Sequence, residues 1–118
     1  MNAQFKKGVL ELCVLTMIGR KDYYGYELVE EISKILEISE GTLYPILRRL
    51  TEEKYFETYL QESSEGPPRK YYRITKQGRE FQKDQFKQWM EFNQQIESLL
   101  AGEKNESTRI LKISQKRT

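Results

Sequence analysis

The sequence predicts a mainly α fold with a small β-hairpin and one long C-terminal helix. Three observations carry this expectation. Apolar residues recur three and four apart through most of the chain. Between residues 56 and 75 the period falls to two, around a Gly/Pro-rich loop. From Lys76 helical spacing returns and runs uninterrupted to Ala101.

The first helix is expected over residues 5–18, where Val9, Leu10, Leu12, Cys13, Leu15, Met17 and Ile18 predict heavy burial. Gly19-Arg20-Lys21-Asp22 supplies the turn chemistry that stops it. A second helix is expected over residues 25–36, with Tyr26, Val29, Ile32, Ile35 and Leu36 on one face and glutamates on the other. Ser39 is a good N-cap for a third helix that ends near Lys54, with Glu40 favoured in its first turn. Pro45 removes a backbone donor, so this helix either starts nearer Thr42 or bends slightly.

Phe56, Thr58 and Leu60 then alternate with Glu57, Tyr59 and Gln61. The run 70–75 is rich in β-formers, and the two runs read as an antiparallel hairpin. Thr75 can cap the long helix. Three short helices followed by a two-stranded wing make a winged helix-turn-helix. In that arrangement the third helix enters the major groove, and the wing lies over the neighbouring backbone or minor groove.

The expected organisation is a winged domain over residues 1–75, a dimerisation helix over 76–102 and a polar tail over 103–118. A chain of 118 residues can bury a modest core, and a dimer would bury more. Phe81, Trp89, Phe92, Ile96, Leu99 and Leu100 form an apolar seam on the long helix, which makes a second copy of the chain its natural partner.

Net charge is only +2, so the distribution matters more than the sum. Residues 66–79 hold Arg69, Lys70, Arg73, Lys76 and Arg79 with no acid. Residues 25–40 hold five glutamates against Lys34. Cys13 is the single cysteine, which excludes an intrachain disulfide and favours a reducing compartment and a small buried filler. No apolar run reaches the roughly 18 residues of a membrane span, so a cytoplasmic location is expected.

The third helix is the most informative segment. Leu43, Ile46, Leu47 and Leu50 share its apolar side, while Thr42, Tyr44, Arg48 and Arg49 make a polar side. Guanidinium forks bond guanine edges or phosphates. Ser39 and Thr42 stand at the helix N-terminus, where hydroxyls and free N–H groups suit a phosphate. Tyr44 and Arg48 are placed nearest the groove, with Arg49 on the shoulder. The competing role for the arginines is ion pairing to Glu52 or Glu53. Arg69, Lys70 and Arg73 on the wing would hold phosphates without reading sequence; the alternative is a solvated loop. The knot Tyr23-Tyr24-Gly25-Tyr26 reads as a turn that seats the second helix. Trp89 is either packing or a flat floor for a planar ligand, with Phe86 and Phe92 completing the pocket.

Enzyme chemistry is poorly supported. The chain has no histidine, so it lacks an imidazole base or ligand. One cysteine cannot build a thiolate zinc site, and no Gly-rich phosphate loop is present. Neither a metal nor a cofactor is expected. Two non-enzymatic alternatives stay open: a winged helix that docks a protein, and a ligand-binding protein built on Trp89.

Three separated motifs resemble one known family. They are Tyr24-Gly25-Tyr26-Glu27-Leu28, then Glu40-Gly41-Thr42-Leu43-Tyr44-Pro45-Ile46-Leu47-Arg48-Arg49-Leu50, then Arg69-Lys70-Tyr71-Tyr72-Arg73-Ile74-Thr75 with Gly78. In this order they look like the PadR family of bacterial transcriptional regulators, over about residues 5–80. The single long last helix resembles the small-subunit branch. The resemblance implies a winged-helix homodimer that binds double-stranded operator DNA and represses. It also implies a planar aromatic effector, because Trp89 falls where multidrug-responsive members carry a ligand-stacking tryptophan.

Overall fold

The computed structural model describes residues 3–102; the expected tail at 103–118 lies outside the described residues. In chain order the elements are α1 (Ala3–Arg20), β1 (Tyr23–Tyr24), α2 (Gly25–Ser33), α3 (Glu40–Glu52), β2 (Phe56–Ser63), β3 (Gly66–Ile74) and α4 (Lys76–Ala101). Two compact units divide the chain, Met1–Asp84 and Gln85–Thr118. The first unit takes in the start of α4, as far as Asp84.

The core of the first unit is built from one stripe of each helix. Leu10, Val14, Leu15 and Ile18 come from α1, and Leu28, Val29 and Ile32 from α2. Leu43, Ile46, Leu47 and Leu50 come from α3 and are all buried, as their spacing requires. Phe56, Tyr72 and Ile74 close the core from the sheet. Cys13 is half-buried rather than enclosed, and burial pushes its thiol up, away from the reactive thiolate.

α2 is shorter than its apolar pattern suggests. It stops at Ser33, and the chain tightens into bonds from Ile35 N to Ile32 O (3.0 Å) and from Leu36 N to Ile32 O (2.8 Å). The turn breaks the helical register, so Ile35 points away and is 86% exposed. Tyr26 is also exposed, which leaves the buried stripe to Leu28, Val29 and Ile32.

α3 begins at Glu40 and continues through Pro45. Ser39 has the extended backbone of an N-cap, and its carbonyl accepts from Thr42 N and Leu43 N. Its hydroxyl makes no backbone cap bond and lies 3.3 Å from the Thr42 hydroxyl. At the other end Lys54 takes a left-handed backbone, φ 72°. Tyr55 N then reaches Leu50 O, and Lys54 N reaches Thr51 O, both at 3.0 Å. This is a Schellman closure with lysine where glycine is usual.

The sheet has three antiparallel strands in the order β1-β3-β2. β1 was not anticipated, because two residues are too few to show a period. It pairs Tyr23 with Tyr72 and Tyr24 with Tyr71. The wing turns at Ser64-Glu65, so Pro67 and Pro68 lie inside β3 and not in the loop.

Thr75 caps α4 as its position suggests. Its Oγ1 accepts from Gly78 N at 2.9 Å and lies 2.8 Å from Lys54 O and 3.1 Å from Tyr55 O. One residue thus ties the end of α3 to the start of α4. Gly78 is essential to this junction. A Cβ there would meet the Tyr55 carbonyl and stand 2.8 Å from Ile74 Cγ1, closer than real side chains allow.

Candidate nucleic-acid interface

The outward side of α3 consists of Gly41, Thr42, Tyr44, Pro45 and Arg48, all exposed. Its inward side is the buried leucine and isoleucine stripe, so packing alone aims these groups at solvent. Arg48 has no carboxylate partner among the described residues. Its guanidinium is therefore free to bond an external acceptor.

Tyr44 is 37% exposed and not fully free. Its ring lies over Gly25, where an added Cβ would be 3.0 Å from Tyr44 Cε1 and 3.3 Å from its hydroxyl. Partial burial pushes its phenol up, so it stays a neutral donor at ordinary pH. Gly25 is a positioning residue that spacing does not reveal. The turn seating α2 also seats the tyrosine of α3.

Arg49 pairs with Glu11 on α1, through Nη2 at 2.8 Å and Nε at 2.9 Å, and not with Glu52 or Glu53. A partly exposed pair of this kind contributes of order 1 kcal/mol. Arg49 thereby braces α3 against α1.

On the outer face of the sheet Tyr24, Tyr71 and Tyr59 form a ladder across the three strands. Their ring centroids are 6.0 and 5.6 Å apart. Arg69 covers the Tyr24 end at 5.0 Å and Arg73 the Tyr59 end at 4.5 Å. Arg73 stands 3.4 Å from Asp22 and 3.5 Å from Glu57, and the Asp22 carboxylate also accepts from the Tyr59 hydroxyl at 2.7 Å. These acids lie on other strands and turns, which is why an acid-free stretch of sequence concealed them. Arg73 therefore shares its charge with Asp22 and Glu57 across the wing.

Arg69 rests on Tyr24, and Lys70 Nζ stands 5.7 Å from the Tyr72 ring. Neither has an ion-pair partner among the described residues. The polar groups with no carboxylate partner among the described residues are thus Ser39, Thr42, Tyr44 and Arg48 on α3 with Arg69 and Lys70 on the wing.

α4 divides the expected seam. Phe81 stacks on Tyr55 of its own chain, with centroids 4.2 Å apart and planes 7° from parallel. It is partly buried against the core of its own chain. Trp89 and Ile96 are half-buried, whereas Phe86, Met90, Phe92, Leu99 and Leu100 are exposed. No group of His, Cys, Asp or Glu among the described residues could hold a metal ion. No described helix is long and apolar enough to cross a membrane.

A helix-turn-helix with a free Thr/Tyr/Arg face, flanked by a basic strand, has the architecture of a DNA-binding transcription regulator. Comparison with known proteins agrees. The profile of the Transcriptional regulator PadR-like family matches residues 14–84, and the chain belongs to that family. Its members are transcriptional regulators and not enzymes. A PadR-like transcriptional regulator from Bacillus cereus is 42% identical, with a TM-score of 0.76 over 86% of this chain and all of that one. A Streptococcus transcriptional regulator is 39% identical, with a TM-score of 0.75 over 83% of this chain and 98% of that one. An uncharacterized protein from Lysinibacillus sphaericus is 37% identical over 100 residues, 81% of this chain and 92% of the relative.

Proposed function

We propose that this protein is a homodimeric cytoplasmic repressor whose two α3 helices enter successive major grooves of a two-fold operator. Half-sites would then lie about 34 Å apart. The observation that carries this reading is the exposed, unpaired Arg48, one turn after Tyr44 on a helix whose other side is buried. Thr42 and Ser39 lie at the α3 N-terminus, where a phosphate is favoured. Arg69 and Lys70 add phosphate contacts from the wing and make binding steeply salt-dependent.

Dimerisation falls to Trp89, Phe92, Ile96, Leu99 and Leu100 of α4. Large apolar side chains exposed along one helix are a costly surface for a monomer. A planar aromatic effector would stack on Trp89 between Phe86 and Phe92 and shift the population between binding-competent and incompetent dimers. Quenching of the single tryptophan by planar aromatic compounds reports it; an unchanged spectrum across a panel leaves Trp89 as packing.

A gel-shift assay on the DNA upstream of the chain's own coding sequence tests the main reading. Wild type is expected to shift it, and Arg48→Ala to weaken binding by about tenfold or more, since a bidentate base contact carries roughly 1–3 kcal/mol. Arg73→Ala should act mainly through stability. Equal affinity for wild type and Arg48→Ala would remove α3 as the reading element.

A further inference from the structure

A second cationic site lies between the C-terminal end of α1 and the first turns of α4. It is a half-open cleft of about 320 Å³ lined by Thr16, Arg20, Arg79, Gln82 and Lys83. That is within the range of small-molecule sites, roughly 300–1,000 Å³. Ile74, the last residue of β3, forms part of its floor. The wing end of β3 is Gly66, eight residues earlier, so the cleft is about 26 Å along the strand from the wing tip. Its cations are separate from those assigned to DNA, and the inference does not depend on the DNA reading.

The lining is matched to an anion. It contains no carboxylate, and each polar side chain in it offers a donor. Gln82 Nε2 donates to Thr16 Oγ1 at 3.0 Å, which leaves the Thr16 proton without an acceptor among the described residues. Arg79 Nη1 donates to Gly19 O at 3.0 Å. This bond engages one cation with the carbonyl end of α1 and fixes its guanidinium at the rim. Arg20 and Lys83 are exposed and have no ion-pair partner among the described residues. Two uncompensated cations beside an oriented third favour a dianion. A carboxylate brings one charge, whereas a phosphate monoester brings about 1.5 to 2 at neutral pH.

We propose that this cleft binds a small phosphate-bearing molecule, its phosphate held by Arg20, Arg79, Lys83 and the Thr16 hydroxyl. Gly19 leaves the space open. A Cβ there would sit 3.8 Å from Ile74 Cδ1, an ordinary contact, so a methyl group can be added without strain and would narrow the cleft beside Ile74.

The test is thermal unfolding and calorimetric titration of the full chain with inorganic phosphate, against sodium chloride and sodium acetate at matched ionic strength. Phosphate is expected to raise the midpoint and to bind saturably, while chloride and acetate do neither. Arg20→Gln with Lys83→Gln should weaken phosphate binding at least tenfold, and Gly19→Ala severalfold. Arg69→Gln with Lys70→Gln on the wing should leave it unchanged. Several results would each overturn the proposal. They are no response beyond chloride, an equal response to acetate, an undiminished response in the Arg20/Lys83 variant, or loss of the response in the wing variant. Gly19→Ala keeps all three cations, so full binding by that variant would reduce the site to diffuse charge and overturn it as well.

Discussion

A hydrogen atom in place of a methyl group at Gly25 lets the Tyr44 ring lie over the start of α2. A Cβ at 3.0 Å from that ring forces the phenol to move, and a ring at a helix surface can move cheaply. Gly25→Ala is therefore expected to change stability by less than about 1 kcal/mol, since alanine also favours the helix. Operator affinity should still fall severalfold. Denaturant unfolding and fluorescence anisotropy with labelled operator, measured together, check the separation. Unaltered affinity would detach Tyr44 from the reading of DNA. The tyrosines also set the response to pH. Burial pushes the Tyr72 phenol up, and burial together with its bond to Glu31 (2.7 Å) does the same for Tyr23. A phenol whose folded pKa is raised stabilises the fold fully below its ordinary value of about 10, and that stability is lost as pH rises through the folded value. With no histidine in the chain, the urea midpoint should stay level between pH 6 and 8 and drop above about pH 10.

At the scale of elements, the junction of α3, Tyr55 and α4 carries the most information. Lys54 closes α3 with φ 72°, a conformation that costs a side-chain-bearing residue about 1 kcal/mol. Lys54→Gly should stabilise the protein by about 0.5–1 kcal/mol, a rise of several degrees in Tm by calorimetry. An unchanged or lowered Tm would mean that glycine's added freedom in the unfolded chain outweighs the relief. Thr75 and Gly78 were legible in different degrees. A threonine before a helical run announces a cap, and the cap is present. Gly78 showed only as part of a motif; its reason is the approach of the Tyr55 carbonyl, which lies 23 residues away. Pro45 shows the reverse. A local rule favoured either a start nearer Thr42 or a slight bend, but α3 starts at Glu40 and the buried stripe from Leu43 to Leu50 holds it across the missing bond.

For the whole molecule the apolar side chains of α4 bear on assembly. Leu99 and Leu100 are 76% and 82% exposed in the single chain, on a helix of 26 residues. If a second copy covers them, Leu99→Glu with Leu100→Glu should turn a sedimenting dimer into a monomer. Operator affinity should then drop by about tenfold or more, because each monomer grips one half-site. The wild-type Tm should also rise with protein concentration. A wild type that sediments as a monomer would refute the dimer and leave the exposed leucines to another partner.

Periodicity by itself determined the order of the four helices and the wing hairpin, the buried stripe of α3 and the extent of α4. Burying apolar side chains at regular spacing is a local requirement, and it is written locally. Only the tertiary structure decided which cations are available. Arg49 meets Glu11 across 38 residues, and Arg73 meets Asp22 across 51. Both arginines look as free in the sequence as Arg48 does. The same long-range packing added β1 to the sheet, drew Phe81 into the core and set Gly25 beneath Tyr44. Such pairings depend on where distant elements come to rest, and the spacing of residues along one element carries no record of that.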